Sequence, residues 1–179
     1  MKTTDIFGVK KSVQKSAATI ALLSAFVIGH SVQAADKITP PPATPLLTLE
    51  LAQKVAMATW QKCSDDGYAV SVAVVDRSGT LIIQVRDPEA GPHTVGSSYG
   101  KAFTSASMGR ATGPLADAIA KNPALNGLRD MDPRMVILNG GLPIVINGQR
   151  VGGIGVGGAP GGHLDEACAN VGLQQIEVK

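Results

Sequence analysis

Cysteine and aromatic residues are scarce in this sequence, and each scarcity argues against a class of site. Two cysteines, Cys63 and Cys168, without a C-x-x-C spacing argue against a zinc site built from cysteine. They allow one intramolecular disulfide in an oxidising compartment, with two separate buried thiols as the alternative. Aromatic residues make up only 3% of the chain, too few for an aromatic cage around a ligand.

The N-terminal segment has the features of a secretory signal peptide. Four lysines within the first 15 residues precede an uncharged apolar run over residues 17–28. This run is shorter than the roughly 20 residues that a spanning helix needs. The sequence V-Q-A, which ends at Ala34, favours cleavage after that residue, with an uncleaved membrane anchor as the alternative. We therefore expect residues 1–34 to be removed and the mature protein, without a membrane span, to be periplasmic or secreted.

The charge of the mature chain gives no case for a nucleic acid partner. Residues 1–34 carry four Lys and one Asp, so their removal turns the net charge of +2 into −1. A near-neutral domain lacks the basic surface that attracts nucleic acid or anionic lipid. Residues 35–46 contain four of the eleven prolines and predict an extended linker, so the folded domain is predicted over 47–179.

Hydrophobic periodicity and turn signals predict the order α-β-β-α-α-β-β-β-α for this domain. A helix over 49–65 begins after the N-cap Thr48, and two apolar strands over 69–76 and 80–86 form an antiparallel hairpin. The remaining elements are a loop over 87–96, helices over 97–108 and 115–121, strands over 135–138, 142–146 and 150–157, and a helix over 164–175. The fold class is therefore α/β (α+β), with an antiparallel sheet covered by helices.

Glycine makes up half of the strand predicted over 150–157. Gly153, Gly155 and Gly158 satisfy G-x-G-x-x-G, but a dinucleotide site needs a second parallel strand, and the chain ends one helix later. Alternation along a strand explains the pattern better, because it places Ile154 and Val156 on one face and leaves the other bare. We expect a helix, a neighbouring subunit or a flat ligand to pack on that bare face.

Four motifs in order resemble the GlcG/HbpS family, which is also met as the C-terminal domain of PduO-type proteins. VAVVDRSGTLIIQVRD (72–87) matches the family's first hairpin, and KAFTSA (101–106) matches its Lys-Ala-x-Thr-Ala helix. GGLPIVINGQRVGGIGVGGAPGGHLDEACA (140–169) matches its Gly-Gly-x-Pro-Ile hairpin, its glycine strand and the helix that follows, with Asp165 at the expected place. The resemblance covers nearly all of residues 47–176.

The resemblance implies a single domain with a five-stranded antiparallel sheet flanked by helices, assembled as a homo-oligomer from dimer to octamer. It also implies that the helices of Cys63 and Cys168 lie side by side, which brings a disulfide within reach. Several relatives bind haem, and one is an extracellular haem sensor and scavenger. Haem or another tetrapyrrole is thus the implied ligand.

A haem site needs an axial donor, an apolar slot and cations for two propionates. His93, in the loop after the first hairpin, is the leading axial donor and the candidate metal ligand. His163, at the start of the last helix, is the second candidate. Thr104 or Thr112 is a third, because some relatives use a threonine in this region.

Two cations, Lys101 and Arg110, are the candidate partners of the propionates. The alternative function is a small-molecule enzyme of the isomerase or lyase type, or an accessory factor of a catabolic pathway, on the same scaffold. Its first candidates are His93, Asp165 and Arg110, the last holding a substrate carboxylate. A ligand-free interaction module is the third class.

Overall fold

The computed structural model describes Ala43 and residues 45–176, so the predicted signal peptide and most of the predicted linker lie outside the described residues. The elements are α1 (Leu49–Asp65), β1 (Ser71–Asp76), β2 (Leu81–Arg86), α2 (His93–Met108), α3 (Thr112–Lys121), a 3-10 helix (Pro123–Asp130), β3 (Gly141–Ile146), β4 (Gln149–Gly157) and α4 (Gly162–Leu173). No helix among the described residues is long and apolar enough to cross a membrane.

The strands form one antiparallel sheet in the order β2-β1-β4-β3. The turns at Gly79 and at Asn147-Gly148 close the two hairpins, and their positive φ angles of 81°, 50° and 74° explain the residue types found there. The α+β class and the antiparallel sheet predicted from the sequence are confirmed.

The sheet of the described residues has four strands instead of five, and the strand predicted over 135–138 is wrong. The Val136 amide donates to Thr104 Oγ1 at 2.9 Å and more weakly to the Gly100 carbonyl at 3.4 Å, both on α2. A Cβ at Gly100 would overlap the side chain of Val136. The segment therefore pairs with a helix that only glycine lets it approach, instead of with a sheet edge.

Helix α2 packs directly on the bare glycine face of β4. A Cβ at Gly155 would overlap the Ser98 carbonyl and the Ala102 amide, and one at Gly153 would overlap the Ala102 carbonyl. Of the three occupants expected for this face, the helix is the one found. The opposite face of the sheet carries the main core, against α1 and α4.

A disulfide between Cys63 and Cys168 joins α1 to α4. The two Cα atoms are 5.5 Å apart, within the usual range for a bridge, and both cysteines are fully buried. The disulfide interpretation is thereby confirmed, and the alternative of two separate thiols is wrong.

Helix α2 begins at His93, four residues earlier than predicted, so His93 does not lie in a loop. Pro92 precedes the helix with φ −61°, the value that helix entry requires. The Thr94 hydroxyl lies 2.6 Å from the Gly91 carbonyl and 2.7 Å from Ser71 Oγ, which ties the first turn to β1. Gly91 and Gly96 favour a loop in the sequence, but the hydrogen bonds of Thr94 hold this segment as the first turn of the helix.

Candidate functional site

The N-terminal ends of α2 and α4 border an open cleft of about 480 Å³, here called the α2–α4 cleft. Its lining consists of His93, Ser97, Lys101, Leu138, Asn139, the segment Gly158–Gly162 and Asp165. The volume lies in the range of small-molecule sites, roughly 300–1,000 Å³. Titratable and polar side chains of two helices and one loop meet here.

Another cavity, of about 410 Å³, lies beside Pro45 and Ile82. Its carboxylate, Asp76, accepts hydrogen bonds from the amides of Ser78 and Thr80 at 2.8 and 3.0 Å. That carboxylate is occupied in shaping the β1–β2 turn, so we place the candidate site at the α2–α4 cleft.

A buried ion pair forms the floor of the cleft. Lys101 Nζ donates to Asp165 Oδ2 at 2.7 Å and to the Val156 carbonyl at 2.8 Å. The Ala159 amide donates to Asp165 Oδ1 at 3.1 Å. The two side chains are only 4% and 3% exposed. Burial raises the pKa of Asp165, and the hydrogen bond from Lys101 opposes that rise only in part.

Gly140 makes room for this ion pair. Its φ of +113° lies in the region that favours glycine, and a Cβ there would fall 2.7 Å from Asp165 Cβ and 3.1 Å from Lys101 Nζ. The glycine that opens the Gly-Gly-x-Pro-Ile motif therefore has a direct role at the site.

His93 lies at the rim of the cleft on the first turn of α2 and is exposed. Its ring folds back towards Gly91, where a Cβ would come 2.9 Å from Nδ1 and 3.8 Å from Nε2. Nδ1 is thus the ring nitrogen nearer to Gly91. Within the described residues the imidazole has no hydrogen-bond partner, so it is available to a ligand.

His163 has a matching position on α4 but is not part of the cleft lining. It is exposed on the first turn of its helix, and a Cβ at Gly161 would lie 2.9 Å from its Nδ1. The structure therefore brings His93, Lys101 and Asp165 together and leaves His163 outside this group.

Thr104, Thr112 and Arg110 also lie away from the cleft. The Thr104 hydroxyl is buried, donating to the Gly100 carbonyl and accepting from the Val136 amide. Thr112 Oγ1 accepts from the amide that begins β3 at 2.9 Å. Arg110 is exposed beyond the C-terminal end of α2, whose 16 residues span roughly 24 Å. Their ligand roles stay predictions, without support from the geometry of the cleft.

The geometry of the cleft does not support the enzyme alternative either, because His93 and Arg110 lie at opposite ends of α2. The three residues proposed for it are not assembled at one place.

Ser97 and Asn139 were not predicted as site residues. A spacing of four residues places His93, Ser97 and Lys101 on one face of α2. A predicted helix that began at residue 93 would have revealed this shared face from the sequence. Asn139 lies directly before the Gly-Gly motif, and its Oδ1 accepts from the Gly140 amide at 2.8 Å.

The cleft does not have the donor set of a bare metal site. No three His, Cys, Asp or Glu side chains cluster to hold an ion in the part of the chain that the structure describes. An iron that a porphyrin already holds requires less of the protein, because one axial donor suffices.

Comparisons with known proteins identify the family. Residues 47–174 match the family described as haem degrading protein HbpS-like. A 15.0 kDa protein from the dhaT-dhaS intergenic region of Citrobacter freundii is 33% identical over 113 residues, which cover 63% of this chain and 80% of that protein. GlcG of Escherichia coli K12 is 28% identical over 111 residues, covering 62% and 81%.

Solved structures with a similar fold indicate the same family. HbpS is 41% identical with a TM-score of 0.70, over 75% of this chain and 93% of that chain. A complex of PduOC with heme is 26% identical with a TM-score of 0.70, over 75% and 98%. The chain therefore belongs to the HbpS-like family, to which the GlcG proteins are related.

Proposed function

We propose that this protein binds haem at the α2–α4 cleft, with His93 as the axial ligand of the iron. The observation that carries the proposal is an exposed imidazole without a protein partner at the rim of the cleft, in a chain of the HbpS-like family. A relative of the same fold has been solved as a complex with heme.

The residues of the cleft fit this group in three respects. The exposed His93 imidazole has no protein partner within the described residues, and imidazole is a common axial donor. Leu138, in the same lining, is 56% exposed and offers apolar surface to a porphyrin. Lys101 at the floor is a hydrogen-bond donor for a propionate. The bound haem would supply the iron chemistry, and the chain holds the iron through His93.

The test is a hemin titration of the mature protein, followed by the Soret band. His93→Ala is expected to weaken binding at least tenfold and to shift the Soret maximum. His163→Ala is the matched control, because this histidine is also exposed on the first turn of a helix and packs over a glycine two residues earlier. It should bind hemin like the wild type.

Two results would contradict the proposal. If the wild-type protein gives no saturable Soret band, haem binding is refuted. If both histidine variants match the wild type, haem binds through another donor and the assignment of His93 is wrong.

We propose further that the protein acts outside the cytoplasm, in haem scavenging or sensing, as a homo-oligomer. The signal-peptide features support export, and the buried Cys63–Cys168 disulfide is of a kind that persists in oxidising compartments. Cell fractionation tests the location and light scattering of the purified protein tests the assembly. A cytoplasmic protein that keeps residues 1–34 would contradict export. A monomer in solution would contradict the proposed assembly.

A further inference from the structure

Four side chains of the α2–α4 cleft carry hydrogen-bond donors that no group in the described residues accepts. They are the ring of His93, the hydroxyl of Ser97, the Nδ2 amide of Asn139 and one N–H of Lys101. Lys101 has three N–H groups and the structure provides two acceptors, Val156 O and Asp165 Oδ2. All four donors belong to one lining, so the cleft has more donors than it can satisfy itself.

The carboxylate and amide oxygens of the cleft side chains each already accept a hydrogen bond from the protein. Asp165 is the carboxylate among the lining residues, and each of its oxygens takes one hydrogen bond, from Lys101 and from the Ala159 amide. The Oδ1 of Asn139 accepts from the Gly140 amide. A ligand that pairs with the four donors must bring acceptors.

The charge of the cleft allows an acceptor that is anionic. The Lys101 charge is balanced by Asp165, so the floor is neutral and does not repel a single negative charge. A carboxylate is acceptor-only, has two oxygens and makes strong hydrogen bonds to an ammonium group. The helix dipole of α4 adds a partial positive charge at the same cleft, which Asp165 in the first turn offsets in part.

We propose that the α2–α4 cleft is a carboxylate-binding site in which Ser97, Lys101 and Asn139 donate to the ligand. Asp165 is a positioning residue, because it holds the Lys101 ammonium at 2.7 Å and does not itself contact the carboxylate. Two sources carry this chemistry: a propionate of haem, which rests on the function proposed above, and a free small organic acid, which does not.

The experiment compares each carboxylate with an uncharged counterpart. In one arm the protein is titrated separately with hemin and with hemin dimethyl ester, and binding is followed by the Soret band. In the other arm haem-free protein is titrated separately with pyruvate and with pyruvamide, and binding is followed by saturation-transfer NMR. The key variant is Asn139→Asp, which keeps the Oδ1 acceptor for Gly140 but replaces the donating amide with a negative oxygen. Ser97→Ala removes a hydroxyl that has no protein partner, and His163→Ala is the control outside the lining.

In the wild type we expect at least one carboxylate to bind five times or more tightly than its uncharged counterpart. Asn139→Asp should abolish that preference and Ser97→Ala should reduce it, with circular dichroism unchanged, while His163→Ala retains it. A preference in the hemin arm alone identifies the propionate, and one in the pyruvate arm identifies a free acid.

Pyruvate binding by a protein that shows no Soret band would support the carboxylate site while refuting the haem function. Equal binding of charged and uncharged compounds in both arms would overturn the carboxylate site. So would a preference that survives Asn139→Asp.

Discussion

Breaking the Lys101–Asp165 pair is expected to cost far more free energy of unfolding than breaking an exposed pair in the same protein. In Lys101→Met, Asp165 keeps a single hydrogen bond, from the Ala159 amide at 3.1 Å, at a side-chain exposure of 3%. Removing one member of a buried pair costs about 3–5 kcal/mol, because the other charge stays buried without its partner. Lys62→Met is the control, since the Lys62–Asp66 pair is 38% and 35% exposed and should be worth less than about 1 kcal/mol.

The cost of Lys101→Met should also depend on pH. Burial raises the pKa of Asp165, and Lys101 is the group that opposes this rise most strongly, so its removal raises the pKa further. A carboxyl whose folded pKa exceeds its unfolded value favours folding at low pH, and this contribution is lost as pH rises through the folded pKa. The loss of stability relative to the wild type should therefore be smaller at pH 5 than at pH 8.

Urea unfolding at both pH values, followed by circular dichroism and by fluorescence of Trp60, the single tryptophan, measures these differences with the disulfide intact. The double variant Lys101→Met, Asp165→Leu carries neither charge and should recover most of the lost stability. If Lys101→Met costs no more than Lys62→Met, or if its deficit grows towards acid pH, the reasoning about the buried pair is refuted.

Three further outcomes are expected. Replacing Cys63 and Cys168 by Ser should lower the free energy of unfolding by about 4–5 kcal/mol, which is the chain-entropy value for a separation of 105 residues. Two free thiols in the unfolded, unreduced wild-type protein would contradict the bridge. Gly155→Val should abolish folding because its Cβ overlaps the backbone of α2. Gly96→Ala, with open space around it inside the same helix, should melt at or slightly above the wild-type temperature. An unchanged melting temperature for Gly155→Val would speak against the packing described. Mass spectrometry of exported protein should find an N-terminus at or near Ala35, and retention of Met1 would rule out cleavage.

Much of the fold follows from local sequence patterns. The bounds predicted for α1 match those observed. Thr48 caps the helix by accepting a hydrogen bond from the Leu51 amide at 3.2 Å, and the apolar positions of the helix face the core. The Asn147-Gly148 hairpin was equally predictable from its turn residues. The error over 135–138 arose because a short apolar run looks the same whether it pairs with a strand or lies on a helix. What decides between them is Gly100, more than 30 residues away.

The site was only partly predictable for the same reason. Lys101 and Asp165 were each candidates, but they are 64 residues apart, and no local pattern indicates that their side chains meet. The family resemblance supplied the candidates without the geometry that separates them. Thr104 shares α2 with Lys101 and Arg110 follows the end of that helix, and only the three-dimensional structure shows that neither reaches the cleft.

The glycine strand connects the fold to the site. Because Gly153, Gly155 and Gly157 leave β4 without side chains where α2 packs on it, the helix lies against the strand backbone, with Lys101 Cβ only 3.0 Å from where a Cβ of Gly155 would be. At that separation the lysine side chain reaches past the strand to the Val156 carbonyl at 2.8 Å and to Asp165 on α4. A larger residue at 155 would push α2 outward and separate the ammonium from both acceptors. The glycines that resemble a nucleotide fingerprint in the sequence thus act by bringing a lysine to the floor of the cleft.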